Sequence, residues 1–360
     1  MADTKPSQPN EPKLAKTIET KQQQCAARFT PCGKFLIAGG FDGLVRRWDA
    51  TSDEFKELPP LEGHGGWVSG LAIYGEGTRL YTADSWGRLR AWNYADAAPK
   101  PLWDIADAHN GWIRQVAVSA DGKLLATCGL DKLVRVWDAA TGKKLHDLTG
   151  HTFDVLSVAF HPDGKSLVSG DLTGVVKQWD VTGGKHIRDF EAKETYLYSR
   201  LQDIGGVRVM AFDAEGKTLA CAGTRPKNGG NVQGTPIAVL FNWADGKPIR
   251  TLELGTGSDV YVYDLHFDPA GHIVAVTSGN PGTGKLVMQK LDAKAPFVSL
   301  SKANLHSVSR HPNGTRLAVV GTNANSSGNG RVKSKDGSQD YPGNWSPIYI
   351  FDLPQPAAMT

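Results

Sequence analysis

Seven times along the chain an alternating apolar stretch runs into a short polar turn carrying a glycine, and this recurrence constrains the fold more than any other feature. The turns are Thr30-Pro31-Cys32-Gly33, Tyr74-Gly75-Glu76-Gly77, Ser119-Ala120-Asp121-Gly122, His161-Pro162-Asp163-Gly164, Asp213-Ala214-Glu215-Gly216, Asp268-Pro269-Ala270-Gly271 and His311-Pro312-Asn313-Gly314. Successive turn glycines lie 44, 45, 42, 52, 55 and 43 residues apart. Glycine supplies the positive φ such a turn wants, and Pro, Asp or Asn sets the preceding corner. Period-two alternation between turns, as in Leu133-Val134-Arg135-Val136-Trp137, is the pattern of sheet strands packed on neighbours. A unit of about 40–45 residues has room for four short strands, so an all-β repeat array is predicted.

A second landmark keeps the same register. Trp48, Trp92, Trp137 and Trp179 each stand 15 residues after their turn glycine and are followed by Asp or Asn. His64, His109 and His151 precede Trp92, Trp137 and Trp179 by 28 residues each, in the pairs Gly63-His64, Ala108-His109 and Gly150-His151. On these residues the chain resembles the WD40-repeat family over roughly residues 14–353. The resemblance implies a seven-bladed β-propeller in which a His, a Ser or Thr, an Asp and the Trp of a blade form a buried hydrogen-bonded tetrad. One unit matches fully, with His109, Thr127, Asp131 and Trp137. The second keeps His64, Thr82 and Trp92, and the fourth keeps His151, Ser169 and Trp179, with Trp86 and Thr173 where the Asp is expected. The first keeps Asp42 and Trp48. In the last three units Trp243, Leu291 and Phe351 are assigned the Trp position.

The last unit ends on its third strand, residues 348–352. Residues 16–20, ahead of the first unit, are long enough to supply the missing outer strand and close the ring, which removes an exposed edge. Residues 1–13 read as a polar tail, residues 14–353 as a single propeller, and residues 354–360 as a second tail.

Unit length shows where material has been added. From turn glycine to the assigned Trp position the first four units spend 15 residues, the fifth 27, the sixth 20 and the seventh 37. A further excess lies around residues 191–206. In a blade of this family both sites of insertion emerge on the same rim, the top, so a one-sided wall over the channel mouth is expected. Residues 323–340 are rich in Gly, Ser and Asn and read either as a binding loop or as a solvated insertion, with Tyr341 and Trp345 as anchors. The rest of the rim carries Trp67 and Trp112, three residues after His64 and His109. Phe41, Leu130 and Leu172 stand at the turns, and Tyr261 takes the Trp67 position in the sixth unit. Aromatic residues on a rigid rim have the composition of an interaction hot spot; leaning on adjacent blades is the competing account of Trp67 and Trp112.

Several function classes are disfavoured. Forty Lys and Arg against 37 Asp and Glu give a net charge of +3, with no basic run of five, which makes no electrostatic case for nucleic acid. No stretch nears the roughly 18 apolar residues of a membrane span. The polar, Pro-rich start lacks the core of a signal peptide. The four cysteines (Cys25, Cys32, Cys128, Cys221) form no CxxC pair and fit reduced thiols, so a cytoplasmic protein is expected. Gly279-Asn280-Pro281-Gly282-Thr283-Gly284-Lys285 is similar to a phosphate-binding loop, yet Leu286 follows where Ser or Thr is required, and a strand follows instead of a helix. His161 and His311 read as turn residues, His161 in an exposed turn. His266 and Asp264 are taken to point to opposite faces, and the innermost strands offer no obvious cluster for chemistry.

The expectation is therefore a non-enzymatic scaffold without cofactor or metal. It binds a protein or peptide on the top rim, alone or as a subunit of a larger complex. The alternative is a small-ligand-binding or hydrolytic propeller enzyme with a pocket walled by the long loops of blades 5 to 7.

Overall fold

A computed structural model describes residues 11–75, 77–228, 233–280, 282–324 and 344–354. Seven four-stranded antiparallel sheets follow one another along the chain, each built of strands that are short, alternating and joined by tight turns. Blade 1 runs from Gln24–Phe29 to Lys56–Leu61, blade 2 from Val68–Ile73 to Pro101–Ile105, blade 3 from Ile113–Val118 to Lys144–Leu148, and blade 4 from Val155–Phe160 to Lys185–Glu191. Blade 5 runs from Val209–Phe212 to Pro248–Glu253 and blade 6 from Tyr261–Asp268 to Val298–Ser301. Blade 7 combines Leu305–Arg310, Arg316–Gly321 and Pro347–Asp352 with Lys13–Glu19 from the start of the chain. That first strand pairs antiparallel with Pro347–Asp352, Thr17 opposite Tyr349, and Thr20 donates its backbone N–H to the Ser346 carbonyl.

The core lies between blades, not within them. Ala126, Val134 and Val136 of blade 3 bury against Val155, Val158, Leu167 and Trp179 of blade 4, and comparable clusters fill the other inter-blade spaces. A single blade is too thin to hide its apolar residues, so each is stable only with neighbours on both faces.

The turns lock the blades as well. Gly216 adopts φ +69, and a Cβ there would sit 2.4 Å from the His161 ring of the preceding blade. His161 is buried; its Nε2–H donates to the Gly216 carbonyl at 2.9 Å, and its ring stacks on Trp243 at 4.5 Å. His311 does the same across the blade 7–blade 1 boundary, donating to the Gly33 carbonyl at 3.0 Å and meeting Phe29 edge-on. The reading of His161 as lying in an exposed turn is thus corrected: the turn of one blade is the packing partner of the next.

Register also corrects two Trp-position assignments. The Leu that pairs with the landmark tryptophan in blades 1 to 4 (Leu36, Leu80, Leu125, Leu167) corresponds in blade 5 to Leu219, which pairs with Phe241, not Trp243. In blade 6 Ile273 pairs with Gln289, so Leu291 lies past the position; Phe351 of blade 7 does hold it, opposite Leu317. Counting from the turn glycine failed in blades 5 and 6 because insertion and a shortened turn moved the third strand.

Candidate interaction surface and central channel

Three buried tetrads fix one rim. In blade 2 the indole N–H of Trp92 donates to Thr82 Oγ1 at 2.8 Å, Thr82 Oγ1 contacts His64 Nε2 at 2.6 Å, and His64 Nδ1 contacts Asp84 Oδ2 at 2.8 Å. Because an indole can only donate, the hydroxyl proton goes to Nε2, and the imidazole is left to donate from Nδ1 to the carboxylate. Trp137, Thr127, His109 and Asp131 repeat this in blade 3 at 2.9, 2.7 and 2.9 Å, and Trp179, Ser169, His151 and Asp171 in blade 4 at 2.8, 2.7 and 2.8 Å. Burial pushes the Asp131 carboxyl up, but hydrogen bonds from His109 and Arg135 outweigh it and hold it well below the usual range.

Sequence register had put Trp86 and Thr173 at the Asp position. In fact the carboxylate comes from two residues earlier, Asp84 and Asp171, whereas blade 3 has Gly129 there and draws on Asp131. Either site reaches the same nitrogen, so a rule based on one offset misses two of three carboxylates.

Released from that role, Trp86 lies on the rim above Gly65 and Gly66 and is 71% exposed. Next to it Phe41, Trp67 and Trp112 form a continuous aromatic row across blades 1 to 3, with ring centroids 4.6 and 5.5 Å apart. Trp67 is 42% exposed; Phe41 and Trp112 are half-buried. Trp112 is held by its indole N–H donating to Ser69 Oγ at 2.8 Å, and exposed Leu130 continues from it, its N–H donating to the Trp112 carbonyl. Leu172 is half-buried on blade 4 against Gly206, and Tyr261 lies under the Arg208 guanidinium at 4.0 Å. Half-buried Trp345 is joined to Asn323 by a backbone hydrogen bond and is not among the ring contacts of the Phe41–Trp67–Trp112 row; Tyr341 and most of residues 323–340 lie outside the described residues.

Two of the added segments pack on each other. In blade 5 the insertion lengthens the second and third strands, Thr218–Asn228 and Gln233–Asn242, into a long hairpin. The excess after blade 4 forms a 3-10 turn, Lys193–Thr195, and a small hairpin, Tyr196–Ser199 with Gln202–Gly205, packed on that long hairpin. Glu194 ties them, bonded by Arg225 and by the Thr251 hydroxyl at 2.6 Å.

The channel holds what sequence reading missed. In each blade one residue of the innermost strand is bulged out of the ladder near its start: Cys25, Ser69, Arg114, Leu156, Tyr263 and His306 are skipped in the pairing. In blade 5 Arg208 takes this place, its N–H bonding the same Ala222 that pairs with Val209. A bulge re-aims one side chain, and all seven line a single cavity of about 410 Å³. Period-two reasoning cannot show this, because the bulge inverts the facing on either side of it. Arg28 lines the cavity too and is paired with Asp264 at 2.8 Å. Leu265 and Phe267 pack into the blade 5–blade 6 core, so Asp264 and His266, two residues apart, share the opposite side; the opposite-faces reading is corrected. Asp264 is nonetheless committed elsewhere, to Arg28 and to the Val308 N–H at 2.9 Å.

Comparison with known proteins fits this geometry. The sequence model described as WD domain, G-beta repeat matches residues 13–49, 55–93, 100–138 and 142–180. Each matched stretch begins on an outermost strand and ends on the landmark-tryptophan strand of the next blade, so sequence repeat and blade are offset by one strand. The three tetrads lie inside matched stretches, and blades 5 and 6 and the three C-terminal strands of blade 7, which depart from the tetrad residues, lie outside. No curated protein sequence matches the chain. No helix among the described residues is long and apolar enough to cross a membrane. Four WD40 repeats thus stand in a run of seven four-stranded blades, so the chain is a seven-bladed β-propeller bearing WD40 repeats, which in general serve as protein-interaction scaffolds.

Proposed function

We propose that the chain is a non-catalytic scaffold that binds a protein or peptide across the top rim. The observation that carries this reading is the aromatic row of Phe41, Trp67 and Trp112, with exposed Trp86 and Leu130 on the same rim of blades 2 and 3, which the tetrads brace. Large rigid aromatics lose little conformational entropy on contact and dominate binding energy where they cluster. The hairpins of residues 196–205 and of blade 5 supply a flank, with Tyr198 and Leu201 exposed on it, that selects among partners. Free thiols at all four cysteines support placing this activity in the cytoplasm.

The test is a pull-down with mass spectrometry from the native cells, using wild type and a Trp67→Ala/Trp86→Ala variant. Both side chains are well exposed, so the variant is expected to melt within about 2 °C of wild type. Loss of the captured partner with unchanged melting supports the reading. Full retention of the partner by the variant overturns it.

A further inference from the structure

We propose that the channel mouth is a binding site for a phosphate group, held between the guanidiniums of Arg114 and Arg208. The two arginines occupy equivalent bulged positions in blades 3 and 5 and line the same cavity. Each is stacked on a ring, Arg114 on Trp112 at 4.3 Å and Arg208 on Tyr261 at 4.0 Å. Stacking orients the plane and leaves the N–H edges free to fork onto an oxyanion. Neither makes an ion pair among the described residues, and Arg208 Nε is buried without a hydrogen-bond partner. The other charged pair in the cavity, Arg28 with Asp264, is already neutral as a pair. Two positive charges therefore share one partly desolvated space without an ion-pair partner, Asp154 acting on Arg114 only from beyond ion-pair distance, an arrangement that is costly unless an anion enters. Burial, then the neighbouring Arg208 charge, pulls Arg114 below the ordinary arginine value.

A phosphate monoester carries about −1.5 to −2 charges at neutral pH, which matches the pair. A chloride supplies half that and a carboxylate one charge with two oxygens. The cavity admits a small phosphate ester or a phosphorylated side chain of a peptide lying on the rim. Because Trp112 belongs to both the aromatic row and the arginine stack, the second source would join the two sites.

The experiment is isothermal calorimetry of the full chain at constant ionic strength, titrating inorganic phosphate, free phosphoserine, and a phosphoserine pentapeptide flanked by glycines, with chloride as control. Saturable one-to-one binding of phosphate is expected, weakened at least tenfold by Arg114→Gln and by Arg208→Gln, and unchanged by Arg250→Gln on an outer strand. Without phosphate, Arg114→Gln is expected to melt at or above the wild-type temperature, since it removes one of two like charges from the same cavity. Arg114→Lys, which keeps the charge and loses the fork, covers the case of a Gln variant that misfolds and should bind with intermediate strength. A peptide binding tenfold tighter than free phosphoserine assigns the source to a peptide, and equal affinities assign it to a small molecule. Absence of saturable heat, or equal heat in wild type and both Gln variants, overturns the proposal. The Trp67→Ala/Trp86→Ala variant should still bind phosphate, so failure of this site and failure of the rim reading are separable.

Discussion

Replacing Asp84 tests the corrected tetrad directly. Its side chain is buried, accepts from His64 Nδ1 at 2.8 Å, and through Oδ1 accepts the backbone N–H groups of Trp86 at 2.9 Å and Arg88 at 3.1 Å. Asp84→Ala removes the acceptor of the imidazole and the one oxygen that serves two backbone N–H groups, inside a buried site. A stranded buried donor costs about 1–3 kcal/mol, and breaking a buried pair by removing one partner about 3–5 kcal/mol. Water re-entering near the turn relieves part of the backbone cost, so about 3–4 kcal/mol is expected. Asp84→Asn keeps an oxygen for the two backbone groups but sets an amide N–H against the imidazole Nδ1–H, so about 2–3 kcal/mol of that cost remains. Trp86→Ala, at the position the repeat pattern marks for Asp, should cost no more than about 0.5 kcal/mol, because that side chain is 71% exposed. Urea unfolding followed by far-ultraviolet circular dichroism gives all three values. Should Trp86→Ala prove as damaging as Asp84→Ala, or should Asp84→Ala cost under about 1 kcal/mol, the tetrad as drawn is wrong.

Other consequences can be measured the same way. His161→Ala loses a stack on Trp243 and strands the Gly216 carbonyl, for about 2–3 kcal/mol; a loss below 0.5 kcal/mol in urea would return His161 to the surface. Deleting residues 1–20 removes six paired positions from blade 7 and bares an edge, so a loss of order 3–6 kcal/mol and concentration-dependent self-association by light scattering are expected; an unchanged monomer with wild-type melting refutes a structural part for that strand. Burial holds His266 down at about 4, against about 6.5 when unfolded. The unfolded chain therefore takes up the proton first, and stability is lost as pH falls from about 6.5 through 4, by order 2–3 kcal/mol. His266→Gln should flatten that part of the pH–stability curve; an equal acid loss in the variant assigns it to other groups.

Much of the architecture could be read without coordinates, because tight turns and two-residue alternation are local properties. The turn glycines, the landmark tryptophans and the His64, His109 and His151 spacing each depend on a handful of neighbouring residues, and together they imply seven four-stranded units. The closing strand could be anticipated from the family resemblance and a length that permits it, though its bounds, Lys13–Glu19, came from pairing. What failed was whatever depends on how strands slide or bulge. Asp84 and Asp171 were passed over because two backbone positions can deliver a carboxylate to one imidazole nitrogen. Phe241 and Gln289 were displaced by an insertion and a shortened turn.

The amino-acid order by itself determined the number and kind of blades and the aromatic character of the rim, since both are written in residues close together along the chain. Only the tertiary structure decided that His161 is buried, that Trp86 is free, and that Arg114 and Arg208 share a cavity. Those facts arise where blades touch or where a bulge turns a side chain through the sheet, and residues tens of positions apart meet there with no local pattern to announce it.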